Sequence, residues 1–148
     1  MTEYLAKALA TWLIAFFPLA EIYVAVPSAM AMGLDPLSAV AWSVFGNYVP
    51  VFVVYVAYSQ ILRIPRFGPW LERRASATVR DRLDRHGFWF VVLITPWIGV
   101  WIVALVVRLF GMDARRFFLS SFISIALYAI VIAAAISLGL EALGGASG

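Results

Sequence analysis

Four long apolar stretches, at 9–32, 37–62, 88–110 and 117–140, alternate with short polar turns and one long polar linker. Each is about as long as the ~20 residues that carry a helix across a bilayer core. The first and third stretches are interrupted by proline, at Pro18 and Pro96, and each ends on a Gly-x-Asp sequence, Gly33–Asp35 and Gly111–Asp113. Asp35 and Asp113 stand where helix N-caps belong, and Pro36 suits a first helical position. The pattern predicts the same plan twice: a proline-broken apolar segment, a glycine turn, then a long helix.

Shifting the sequence by 78 residues against itself aligns the halves without a gap. Pro18 meets Pro96, Gly33 meets Gly111 and Asp35 meets Asp113. Ser43 meets Ser121, Ala57 meets Ala135 and Ser59 meets Ser137. We read one copy at 9–62, a linker at 63–86, a second copy at 87–140 and a short tail at 141–148. The first segment of each copy has two readings. As a kinked spanning helix it gives four spans in all. As a re-entrant hairpin it dips into the membrane and returns, which is tolerated only where protein or a water-lined cavity covers the irregular backbone.

Charge separates the two readings. The linker carries Arg63, Arg66, Arg73, Arg74, Arg80, Arg82 and Arg85. With hairpins, the turn bearing Arg115 and Arg116 returns to the linker's side along with Arg108, so every cation but Lys7 shares one face. Four spans would divide them. The excess of cations on cytoplasmic faces favours the hairpins, with both termini outside. The expected fold class is an all-α polytopic membrane protein of two inverted repeats, each a re-entrant helical hairpin plus a transmembrane helix, a plan common among transporters. In the linker, Phe67, Leu71, Ala75, Val79 and Leu83 recur every four residues among the arginines. Asp81 and Arg85 form a favourable i,i+4 pair, and Gly87 offers a C-terminal stop. The linker is expected to be an amphipathic interfacial helix that attracts anionic lipid headgroups.

Composition agrees. Of 148 residues, 64% are hydrophobic and 13% charged, with a mean hydropathy of +0.96, against about half and about a quarter in soluble domains. So little polar chain excludes a soluble enzyme core. No cleavable signal peptide is evident; the first segment reads as part of the mature protein. Without cysteine there is no disulfide framework or thiol nucleophile, and the single His86 builds no metal centre. No cofactor, metal or nucleic-acid partner is expected, and no enzyme activity.

Between Ala8 and Met32 the one charged side chain is Glu21, set between Pro18 and Pro27. A carboxylate at mid-membrane costs about 2.5–3.5 kcal/mol on insertion scales, so it normally faces the protein interior and serves function. The flanking prolines free backbone carbonyls and open the helix, leaving room for a substrate or for proton exchange. Alternatively the acid satisfies amides of its own broken hairpin, or bonds Tyr23 or Asn47. Asn47, beside Gly46 and before Pro50, is the other polar residue expected at depth. It can bond a substrate headgroup or a hairpin tip, an interhelical bond contributing about 0.6–2 kcal/mol. Thr95, Pro96, Trp97, Trp101 and Arg108 are the candidates of the second hairpin.

Pro18-x-x-Glu21, Pro27, the Gly33-Leu-Asp-Pro turn, Gly46-Asn47 and Pro50 together resemble the small multidrug export protein family. So do His86-Gly87, TPWIGVW at 95–101 and LFGM at 109–112. The resemblance covers about residues 10–140. That family is similar to the DedA superfamily, whose members carry paired re-entrant hairpins and include translocases of polyprenyl-phosphate lipid carriers. The resemblance implies lipid or solute transport. The chain departs at Tyr23, where many relatives carry arginine, and at Leu93 and Gly99, where DedA proteins carry arginines around the second hairpin's proline.

These readings converge on a transporter in the cytoplasmic membrane of a prokaryote, as a homodimer, moving an amphiphile (a lipid carrier or a hydrophobic cation) where the hairpin tips meet. Its candidate substrate- or proton-binding residues are Glu21, Tyr23, Asn47, Pro18, Pro27, Thr95, Pro96, Trp101 and Arg108. Two rivals stand beside it. One is a proton-coupled drug exporter like the small multidrug resistance transporters, which are shorter and have no proline pair around their glutamate. The other is a non-transporting membrane scaffold docked through the arginine-rich helix.

Overall fold

The computed structural model describes residues 1–62 and 77–145, and all regular structure among them is helical. In chain order the helices are α1 (Thr2–Phe16), α2 (Glu21–Ala31), α3 (Pro36–Leu62), α4 (Ala77–Ile98), α5 (Val100–Leu109) and α6 (Ala114–Gly145). The expected interfacial helix over Arg63–Ser76 lies outside the described residues, as do the side chains of the Asp81–Arg85 pair. Two boundaries differ from the sequence pattern. α1 begins at Thr2, ahead of the apolar run, because an i,i+4 ion pair from Lys7 to Glu3 (2.7 Å) supports its polar first turns. Gly87 does not stop a helix. α4 kinks at His86 (φ −134°, ψ 25°) and resumes through the apolar run to Ile98.

Two helices, over Pro36–Tyr58 and Ala114–Ala142, are long and apolar enough to cross a membrane. α1, α2 and α5, with 15, 11 and 10 residues, reach only about 22, 16 and 15 Å, short of the ~30 Å hydrocarbon core. The exposed faces are large and apolar, with Phe45, Phe52, Phe122 and Leu138 outermost, whereas Ser43, Asn47, Ser120, Ser121 and Ser124 are buried. A water-soluble domain places these residues the other way round. Small and hydroxylated residues let helix backbones approach closely in lipid, where apolar burial supplies no drive. The chain is a membrane protein.

The turns ending the two hairpins are the same structure 78 residues apart. After α2, Leu34 N–H donates to Ala29 O (3.0 Å) and Gly33 N–H to Met30 O (3.0 Å); after α5, Met112 donates to Val107 O (3.3 Å) and Gly111 to Arg108 O (3.2 Å). This is a Schellman motif, whose left-handed residue is glycine for want of a Cβ: φ is 84° at Gly33 and 71° at Gly111. The aspartates then cap the next helices as expected. Ser38 N–H donates to Asp35 Oδ1 at 2.9 Å and Arg116 N–H to Asp113 Oδ1 at 3.1 Å. Hydrogen bonds from the Ser38 hydroxyl and amide hold the Asp35 carboxyl below the usual carboxylate range.

The packing divides the chain into two compact units, one of Met1–Asn47 with α6 from Ile125 onward, the other of Tyr48–Ser124. In the first, α1 packs on α2. A Cβ at Gly33 would lie 3.7 Å from Lys7 Nζ, Tyr4 and Ser38 hydroxyls meet at 3.2 Å, and Trp42 Nε1 donates to Tyr4 at 3.2 Å. The start of α1 thus lies beside the end of α2 and the start of α3: the chain has turned back between Phe16 and Glu21. In the second unit α4 packs on α5. There Tyr48 donates to Phe118 O (3.0 Å), and the Phe52 and Phe118 rings stack at 4.7 Å.

Candidate functional site

The first hairpin turns on Pro18, which has no N–H to extend α1. Ala20 and Glu21 N–H groups both donate to Phe17 O at 3.1 Å, and α2 starts at Glu21. Glu21 is 5% exposed and has φ 47°, the one non-glycine residue at positive φ among those described. A side chain in that conformation costs about 1–2 kcal/mol. The second hairpin makes the same turn one repeat later: Gly99 N–H donates to Thr95 O (2.8 Å), and Gly99 has φ 88°. Glu21 therefore stands at the position that the other copy gives to glycine. An observed outlier of this kind, buried at a helix N-terminus, is a reason to look for function.

The other candidates of the first unit gather around that turn. Asn47 is buried on α3, and its Nδ2 donates to Ala15 O at 2.9 Å. Ala15 has one of the last four carbonyls of α1, which find no partner within their helix. Gly46 makes this possible, since a Cβ there would overlap the Trp12 carbonyl oxygen and lie 2.9 Å from Ala15 Cβ. Tyr23, two residues beyond the acid and half exposed, has Glu21 and Tyr128 as its electrostatic neighbours. Pro27 sits inside α2 and withholds an amide from the Tyr23 carbonyl.

In the second unit Thr95 is buried and donates to Val91 O at 2.6 Å. Pro96 leaves Val92 O without its helical donor, and Ser124 Oγ of α6 supplies one at 2.8 Å. The spanning helix thus repeats Asn47's service with a serine. Trp97 is almost fully exposed, whereas Trp101 is partly buried. Arg108, on the last turn of α5, places its guanidinium 4.7 Å from the Tyr55 ring centre and 5.3 Å from that of Tyr58. The candidates therefore fall into two groups, each within one unit: Pro18, Glu21, Tyr23, Pro27 and Asn47, then Thr95, Pro96, Trp101 and Arg108. Among the described residues no group of three or more His, Cys, Asp or Glu is placed to hold a metal ion.

Several participants escape sequence reasoning. Tyr128, Ser124 and the Tyr55–Tyr58 pair carry no local signal, because only folding brings them to their partners. Ser43 and Ser121 are visible as a matched pair one repeat apart, but not as buried hydroxyls without a partner, which is what they are. Leaving a buried hydroxyl unsatisfied costs about 1–3 kcal/mol. Ser43→Ala and Ser121→Ala are each expected to leave the thermal unfolding temperature in detergent unchanged or raise it. A drop of several degrees would show that the hydroxyl has a partner in the working protein.

A family model for the putative small multi-drug export protein matches residues 21–132. Neither a curated protein sequence nor a solved structure matches the chain.

Proposed function

Since the chain belongs to the small multi-drug export protein family, we propose that it transports an amphiphilic substrate, a lipid carrier or a hydrophobic cation, across the cell membrane. The site lies at the hairpin tips, and Glu21 binds and releases the proton that accompanies transport. The observation that carries this reading is a buried carboxylate kept at positive φ where the matching turn uses glycine. Backbone strain and acid burial both oppose folding, so the residue is retained for what its carboxyl does.

The short paired helices support hairpins that enter and leave on one side. Each is too short to span, and the start of α1 lies beside the end of α2. The hydrogen bonds that recur 78 residues apart support a duplicated unit. With one spanning helix per copy, an odd number, the second copy is inverted relative to the first, and the arginines then collect on the cytoplasmic side. A homodimer completes a route that one small chain encloses poorly, and the arginine-rich stretch 63–86 rests on anionic lipid.

Two measurements test the proposal. In liposomes holding the purified protein, a fluorescent lipid and a cationic dye are followed side by side under a proton gradient. Movement of either above protein-free liposomes is the expected result; movement of neither favours a membrane scaffold. For topology, Asp35→Cys and Asp113→Cys are each expected to react with an impermeant thiol reagent from opposite sides. Labelling of both from one side would restore four spans.

A further inference from the structure

The arms of the second hairpin enclose a cleft of about 160 Å³, lined by Phe90, Ile94 and Ile98 of α4 and by Ile102, Val103, Val106 and Val107 of α5. Every lining side chain is apolar. In the first hairpin, the positions one repeat earlier than Phe90 and Ile94 hold Trp12 and Phe16, whose rings stack at 5.6 Å. The second hairpin thus has an isoleucine where the first has an aromatic ring.

Arg108 directly follows the last residue of this lining. Its Nε is buried without a hydrogen-bond partner, while the residue as a whole is partly exposed. Two tyrosine faces hold the guanidinium plane, and among the described residues the ion pair is Lys7 with Glu3, so no carboxylate there neutralises Arg108. A stacked guanidinium keeps its fork geometry for a planar or tetrahedral oxoanion, and binds phosphate through paired N–H groups. The residue also lies a few positions before the membrane span that starts at Ala114, at the depth where lipid phosphates sit.

We propose that the second unit binds a single-chain anionic amphiphile drawn from the bilayer, with its alkyl chain between α4 and α5 and its phosphate on Arg108. The site concerns binding and stands apart from proton exchange at Glu21, so it holds or fails whether or not the protein transports. It gives the second hairpin a preference for negative headgroups that the cleft alone, being apolar, cannot supply.

The test uses the full chain purified in neutral detergent, with lysophosphatidate as probe and binding read by native mass spectrometry. One tightly held lysophosphatidate per chain is expected. Lysophosphatidylcholine and dodecyltrimethylammonium should bind at least tenfold more weakly, and inorganic phosphate at millimolar concentration should not displace the probe. Arg108→Gln removes the charge-assisted bonds and should weaken binding about tenfold or more. Arg108→Lys, which keeps the charge and loses the fork, should weaken it several-fold and guards against a folding defect. Ile94→Phe introduces the residue found one repeat earlier and should weaken binding with Arg108 intact. Parent-like binding by Arg108→Gln overturns the proposal, as does equal binding of the cationic probe. Displacement by inorganic phosphate together with parent-like Ile94→Phe would reveal a free-phosphate site and also overturn it. Loss of binding on replacing Arg73 and Arg74 but not Arg108 would assign the lipid to the linker instead.

Discussion

Leucine at position 46 is expected to leave the first hairpin undocked, so that the purified protein aggregates or unfolds within minutes in mild detergent. Alanine already introduces a Cβ that overlaps the Trp12 carbonyl oxygen and crowds Ala15 Cβ at 2.9 Å. The obstruction is backbone, which no rotamer change relieves. Overpacking typically costs about 1–3 kcal/mol, and Gly46→Ala should fall at the upper end, since separating the helices also stretches the Asn47–Ala15 hydrogen bond. Helix propensity points the other way, because alanine is better than glycine by about 1 kcal/mol in a helix. Gly139→Ala on α6, where a new Cβ meets nothing within 4 Å, is therefore the control and should raise the unfolding temperature. Gly46→Ala with parent-like stability would mean that α1 and α3 are not so closely apposed.

Glu21→Gln is expected to assemble normally and to lose transport, together with its pH dependence. The amide keeps the size and hydrogen bonding of the acid but cannot ionise. A variant as active as the parent at every pH in liposomes makes the carboxyl structural. The backbone conformation supplies a second, independent readout. Alanine and glycine at position 21 lose the same side-chain contacts, yet at φ 47° glycine avoids a strain of about 1–2 kcal/mol. Glu21→Gly should thus be more stable than Glu21→Ala, the reverse of their order inside a helix. If alanine proves the more stable, the turn is relaxed and the argument from strain fails.

Punctuation residues made much of the architecture legible. Gly33, Asp35, Gly111 and Asp113 act through their own backbone and first neighbours, so their structural consequences are written locally. Pro18 and Pro96 mark the hairpin turns for the same reason. What lay beyond the sequence is long-range or conformational. That Ala15 O would be served by Asn47 and Val92 O by Ser124 depends on which faces of α3 and α6 turn inward. The apolar pattern is silent here, because a helix in lipid is apolar all round. The positive φ of Glu21 was equally hidden: the 78-residue register aligns it with Gly99, but unlike residues in register look like divergence. The start of α1 was missed because hydropathy ignores helix that lies outside the bilayer.

The first compact unit is discontinuous in the chain, since it joins Met1–Asn47 to the part of α6 that begins at Ile125. The second is contiguous. During vectorial synthesis the N-terminal hairpin emerges first, yet its packing partner on α6 is made last. The second unit has all its segments once Ser124 has been added, while the first must wait with its small-residue surfaces uncovered. Premature termination beyond Ser124 thus spares the neighbouring unit and strikes the hairpin at the opposite end of the chain, so surveillance of the nascent protein would detect a C-terminal lesion through its N-terminal segment.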